Sequence, residues 1–196
     1  MDIILASGSP RRRELLKNMG IRDFRVVKPE FDESCIVQPA PAQLVEALSQ
    51  GKAAAVAREI NDPDALIIAA DTVVALEDAV LGKPVDELDA FRMLASLSGV
   101  RHQVYTGITV RQGDQRITQH EVTSVTFRAL DEDEIHSYLR TGEPMDKAGA
   151  YGIQGFGSLL VERIEGDYFN VMGLPVCRLG QVLKQFGLDC LRLAAE

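Results

Sequence analysis

Long apolar runs are missing from this sequence. No stretch approaches the roughly 18 consecutive apolar residues of a membrane span, so no membrane association is expected. The opening "MDIILASGSPRRR" carries its positive charge after the apolar residues and not before them, so it does not read as a signal peptide. Cysteine is scarce: Cys35, Cys177 and Cys190 are far apart and form no CxxC pair. Reduced thiols in a cytoplasmic protein are the expectation. Positive charge is also in deficit, with 21 Lys and Arg against 29 Asp and Glu and a formal net charge of -8. That balance argues against binding a nucleic acid polymer, which needs a broad cationic face, but leaves room for a small anionic ligand at a local cationic cluster. The sequence contains no GxxxxGK[ST], no GxGxxG after a strand, no HExxH and no GxSxG, which removes the common nucleotide, zinc-hydrolase and serine-hydrolase signatures. His102, His120 and His136 share no metal-ligand spacing.

What is present suits one globular domain spanning residues 1–196, with 46% hydrophobic and 26% charged residues, enough to bury a core. "DIILAS" reads as a short strand. Ser9 and Pro10 then supply the N-cap and first position of a helix, with Leu15, Leu16 and Met19 on one face and a stop at Gly20. Residues 41–60 predict a second helix, weakened by Gly51. "ALIIAADTVVAL" at 65–76 is too apolar for a surface strand and predicts a buried central one. Residues 86–99 predict a helix with Leu88, Phe91 and Leu94 in line. Runs 103–111 and 116–128 around Gly113-Asp114 predict a hairpin. Asp131 and Glu134 form a capping box, "SLLVERI" at 158–164 returns to strand, and Pro175 is placed at N1 of a last helix with Val176, Leu179, Val182, Leu183 and Phe186 in one stripe. Parallel βα units beside an antiparallel hairpin give an α/β fold with a mixed β-sheet flanked by helices.

Four features could carry chemistry. Arg11, Arg12 and Arg13 occupy a helix start, where free N–H groups and the dipole favour anions and disfavour cations. They make either a phosphate site or a solvated basic turn with an arginine paired to Glu14 or another carboxylate; in the first case Arg12 contributes little to stability. Asp71 lies inside an apolar run, where a carboxylate is costly unless paired, hydrogen-bonded or metal-bound. Lys52 and Lys83 each follow a glycine and Lys147 stands two residues before one, and "DKAGAYGIQGFG" at 146–157 is either a flexible connection or a wall shaped around a ligand. "FDES" offers Asp32 and Glu33, which together with Asp71 could hold a divalent cation through oxygen ligands, or could be an ordinary acidic loop.

The ordered set "LASGSPRRREL" at 5–15, "FDES" at 31–34, "AADTVV" at 69–74, "GKP" at 82–84, "YTGITV" at 105–110, "DKAGAYGIQGFG" at 146–157 and "GDYFNVMGLPV" at 166–176 resembles the Maf-type nucleoside triphosphate pyrophosphatases over nearly the whole chain. The resemblance implies a long twisted sheet, two lobes around a central cleft, a homodimer, and Mg²⁺ or Mn²⁺ as cofactor. It implies that Asp71 is the proton acceptor, and that Glu33 and Asp71 bind metal. Ser9, Arg12, Lys52 and Lys83 match phosphate- and nucleotide-binding positions. Arg11, Thr72 and Gln154 match positions that set substrate specificity, in the combination that looks like the branch acting on dTTP and UTP. The implied reaction releases pyrophosphate and the monophosphate, in nucleotide-pool cleaning with a proposed link to arrest of cell division. Two alternatives stay open at this point: the branch acting on N7-methylated GTP, and a nucleotide-sensing regulator of septum formation without turnover.

Overall fold

The computed structural model describes residues 1–36, 40–77 and 79–195. Strand β1 (Ile3–Ala6) leads directly into helix α1 (Pro10–Asn18), and strand β2 (Arg25–Val27) returns beside β1 in parallel. A 3-10 turn (Glu33–Cys35) precedes helix α2 (Pro41–Ile60) and strand β3 (Leu66–Leu76), which pairs with β1 in parallel. Strand β4 (Ala79–Leu81) folds back antiparallel on β3 and is followed by helix α3 (Glu87–Leu97). The hairpin of strands β5 (Arg101–Gln112) and β6 (Gln115–Phe127) comes next, then helix α4 (Glu132–Leu139), three 3-10 turns between Glu143 and Leu159, and strand β7 (Val161–Glu165), antiparallel to β6. Short helices α5 (Tyr168–Met172), α6 (Val176–Lys184) and α7 (Cys190–Ala195) close the chain. The result is a seven-stranded mixed sheet of order β2-β1-β3-β5-β6-β7, with β4 on β3, flanked by helices. Among the described residues no helix is long and apolar enough to cross a membrane.

The chain forms two compact units, and β3, β5 and β6 contribute to both. The first holds Met1–Asp71, Thr106–Glu121 and Gly173–Glu196. Its core sets Ile4 and Ala6 of β1 and Ile67 and Ala69 of β3 against Ala53 and Val56 of α2. Side chains on both faces of β3 are buried, which is why the strand reads as a continuous apolar run and not as an alternation. A Cβ at Gly107 would overlap the backbone of Val45, so glycine there lets α2 lie close on β5. Ser49 of α2 completes this contact through a hydroxyl pair with Thr109 at 2.8 Å, satisfying polar groups that would otherwise be costly to bury.

The second unit holds Thr72–Tyr105 and Val122–Met172. Leu94 and Leu97 of α3, Ile135 and Leu139 of α4, and Val125 and Phe127 of β6 make its core, each large side chain contributing on the order of 1.5–3 kcal/mol. His102 is embedded there, edge-on to Phe127 and Tyr151 with centroids 5.0 and 5.4 Å away and its Nε2 2.9 Å from the Tyr151 hydroxyl.

Local signals in the sequence fare well where the partners are local. Ser9 caps α1 with Pro10 in the first turn, and the Asp131–Glu134 capping box is formed in full. Three expectations shift. Pro175 is the N-cap of α6 and not its first residue. The strand expected from Ser158 begins at Val161, because residues 155–159 coil into a 3-10 turn. Leu88 is 57% exposed; α3 buries Leu94 as expected, with Ala90 and Leu97 in place of Leu88 and the half-buried Phe91.

Candidate active site

Asp71 stands two residues beyond Ala69, the last β3 residue in register with β1. It therefore lies at the carboxyl ends of the parallel strands, the edge where open α/β sheets place their ligands. At that same edge the chain leaves β1 through Ser7 and Ser9 and starts α1. Asp71 is buried, at 8% exposure, and a carboxylate so placed needs a partner. The partner is Lys52 of α2, whose ammonium donates to Asp71 Oδ1 and also lies 2.9 Å from Glu33 Oε1. One ammonium thus serves two carboxylates.

The Phe31–Cys35 segment separates the two acids of "FDES". Asp32 caps the 3-10 turn, accepting from the Ser34 amide at 3.0 Å and the Ser34 hydroxyl at 2.6 Å. Those bonds, chiefly the hydroxyl, hold its carboxyl below the usual range. Asp32 is accordingly structural, and Glu33 is the acid that reaches Lys52. The segment is seated by Phe31, whose ring occupies the place a Cβ at Gly51 would take. The glycine that weakens α2 as a sequence signal is the socket for that ring.

Arg12 is half-buried at the start of α1. Its Nε donates to the Gly173 carbonyl at 2.7 Å and its Nη1 to the Ser7 hydroxyl at 3.3 Å. Burial lowers its pKa, Asp71 and Glu33 oppose that shift, and Arg11 adds to it. Arg12 therefore faces the same carboxylates as Lys52 and also ties α1 to a carbonyl 161 residues away. These two bonds hold the guanidinium in place and give Arg12 a structural contact beside any role toward a ligand. Ser9 accepts from the Arg12 amide at 3.5 Å, and the first turn of α1 holds no acidic side chain.

Could these residues hold a divalent cation? Among the described residues no three His, Cys, Asp or Glu side chains cluster as a metal cage. Asp71 and Glu33 nevertheless converge on one cationic point, the Lys52 ammonium. Two carboxylates and no more fit Mg²⁺ or Mn²⁺ in the mode that completes its shell with waters and substrate phosphates.

Arg11 is half-buried beside Arg12 in the first unit, and the other expected residues, Thr72, Lys83 and Gln154, belong to the second. Thr72 follows Asp71 on β3 and is half-buried; Lys83 is exposed on the loop after β4; Gln154 is half-buried within the glycine-dense loop. That loop and the Lys83 loop are stitched together, the Gly149 amide donating to the Gly82 carbonyl at 3.0 Å. Two residues escape a reading by motif. Phe31 had a signal, the unexplained glycine in mid-helix. Glu143 had none: it accepts from the amides of Phe156 and Gly157, 13 and 14 residues ahead, which no local spacing discloses.

The family model described as Maf-like protein matches residues 2–186, and the chain belongs to that family. Curated relatives named dTTP/UTP pyrophosphatase include those of Symbiobacterium thermophilum, 50% identical over 95% of this chain and 94% of the relative, and of Clostridioides difficile strain 630, 50% identical over 95% of each. That of Bacillus cereus strain ZK / E33L is 48% identical over 95% of this chain and 96% of the relative. A solved nucleoside-triphosphatase / dITP/XTP pyrophosphatase from Mycobacterium abscessus is a distant likeness, with a TM-score of 0.48 and 13% identity over 95% of this chain and 98% of that one.

Proposed function

We propose that this protein is a nucleoside triphosphate pyrophosphatase that hydrolyses dTTP and UTP to the monophosphate and pyrophosphate. The observation that carries the reading is the buried Asp71 carboxylate at the carboxyl ends of the parallel strands, held by Lys52 and facing Arg12. The substrate is supported by relatives near 50% identity that bear that activity as their name.

In this reading Asp71 accepts a proton from water as the water oxygen bonds to the α-phosphorus. The bond from that phosphorus to the bridging oxygen breaks, and pyrophosphate leaves with the electron pair. Arg12, Lys52 and Lys83 offset charge on the phosphate oxygens, and Ser9, at the positive end of the α1 dipole, receives a phosphate. A divalent cation held by Asp71 and Glu33 would supply further neutralisation of that charge. Lys52, already a partner of Asp71, keeps the carboxylate oriented until substrate arrives. Arg11, Thr72 and Gln154 set the choice of nucleotide, Gln154 through an amide that can pair with the adjacent carbonyl and ring N–H of uracil or thymine. The same reading makes the protein a cytoplasmic homodimer that removes nucleotides from the pool.

Replacing Asp71 with Asn tests the assignment. The amide is nearly isosteric and cannot take the proton, so pyrophosphate release from UTP should fall by about 10²–10⁴-fold in a variant whose circular dichroism is unchanged. A folded variant with near wild-type kcat contradicts it.

A further inference from the structure

The 152–157 loop is held from outside itself. Glu143 Oε2 accepts from the Phe156 amide at 3.0 Å, and Oε1 accepts from the Gly157 amide at 3.0 Å and from the Tyr138 hydroxyl at 2.8 Å. The Tyr138 oxygen in turn accepts from the Gly152 amide at 3.2 Å. Gln154 is therefore bracketed, with its chain pinned two residues before it and two and three residues after it. The glycines are what make the wrapping possible. A Cβ at Gly155, where φ is +68°, would stand 2.5 Å from Glu143 Oε2, and one at Gly157 would overlap the Gly152 carbonyl. Glu143 is itself anchored, its carbonyl accepting from Lys147 Nζ at 2.6 Å.

We propose that Glu143 is a positioning residue for base recognition, fixing the loop so that the Gln154 amide meets the pairing edge of the pyrimidine in one orientation. The proposal rests on the reading of Gln154 given above. A carboxylate is required because three donors converge on two oxygens. An amide at this position can keep the two donors on one oxygen only by turning its NH₂ toward the Phe156 N–H, donor against donor. Two donors set against each other repel where an ion–amide hydrogen bond stood, so the loop relaxes and Gln154 loses its fixed aim. Discrimination by hydrogen bonds depends on that aim more than does phosphate binding, which rests on charge.

The test measures kcat/KM for UTP and CTP in the wild type, Glu143→Gln, Tyr138→Phe and Gln154→Ala, with hydrogen exchange at the amides of residues 152–157. Glu143→Gln should lower the UTP-to-CTP ratio about tenfold, toward that of Gln154→Ala, and quicken exchange at Phe156 and Gly157. Tyr138→Phe should do the same at Gly152 and serves if the glutamine variant fails to fold. The proposal is overturned if Gln154→Ala collapses the ratio while the Glu143 and Tyr138 variants keep it, or if the ratio falls with exchange unchanged. If Gln154→Ala itself keeps the wild-type ratio, the base-reading role of Gln154 has failed, and a role for Glu143 through it fails with it.

Discussion

Lys52 of α2 donates its ammonium to Asp71 of β3, 19 residues further along the chain, and holds Glu33 at 2.9 Å with the same group. The arrangement is asymmetric. Loss of Asp71 leaves the lysine a carboxylate partner, whereas loss of Lys52 takes the bonded cation from two acids at once and leaves them only the field of Arg12.

Stability should show that asymmetry. Lys52→Met is expected to cost about 2–3 kcal/mol, short of the full penalty for breaking a buried pair because Glu33 is half open to solvent. Asp71→Asn should cost less than half as much. Urea unfolding of the two variants decides the matter, and equal losses would mean that the ammonium does not hold both carboxylates.

Gly51→Ala gives a second, less intuitive outcome. In an exposed helix interior the change is favourable by about 1 kcal/mol. Here the methyl group displaces the Phe31 ring, so the variant should be less stable by about 1–2 kcal/mol. In a Phe31→Ala background the same change should become stabilising. A double-mutant cycle by thermal unfolding measures the reversal; a Gly51→Ala effect of one sign in both backgrounds would show that the ring is not seated there.

His102 predicts a pH dependence. Burial pushes its pKa down from 6.5 to about 4. The unfolded chain takes up this proton near pH 6.5 while the folded protein resists it until near pH 4. Its contribution, about 3 kcal/mol at most, is thus complete above pH 6.5 and is lost as the pH falls toward 4. Wild type should lose stability between pH 6.5 and 4.5 more steeply than His102→Gln. Parallel urea-midpoint curves for the two proteins would contradict the burial argument.

The parts legible in the sequence are those whose causes are local or continuous. Ser9 before Pro10, and Asp131 three residues before Glu134, announce helix starts because each cap bonds within its own turn. The apolar run around Asp71 announces a central strand because neither face of β3 meets water. The pairing of Lys52 with Asp71 is not legible, since an ion pair between a helix and a strand leaves no periodic trace. The division of labour between Asp32 and Glu33 is likewise hidden: it depends on which acid the 3-10 turn uses for its own cap. Leu88 misleads because i, i+3, i+6 spacing fits a helix face without saying which face meets the core. Glu143 carries no signal, its partners being two backbone amides and the Tyr138 hydroxyl.

The central claim is that Asp71, with the cations around it, releases pyrophosphate from a triphosphate whose base carries the uracil pairing edge. It is tested most directly by following the phosphorus products and kcat/KM for dTTP, UTP, dCTP, CTP, GTP and N7-methyl-GTP with Mg²⁺ or Mn²⁺ present. Cytosine replaces a carbonyl and a ring N–H by an amino group and a bare nitrogen, leaving site groups unpaired at about 1–3 kcal/mol each. The account predicts monophosphate and pyrophosphate as products, with dTTP and UTP preferred at least tenfold over the cytosine nucleotides and both purines. Equal kcat/KM for UTP and CTP, a preference for N7-methyl-GTP, or release of inorganic phosphate with a diphosphate left behind would contradict it.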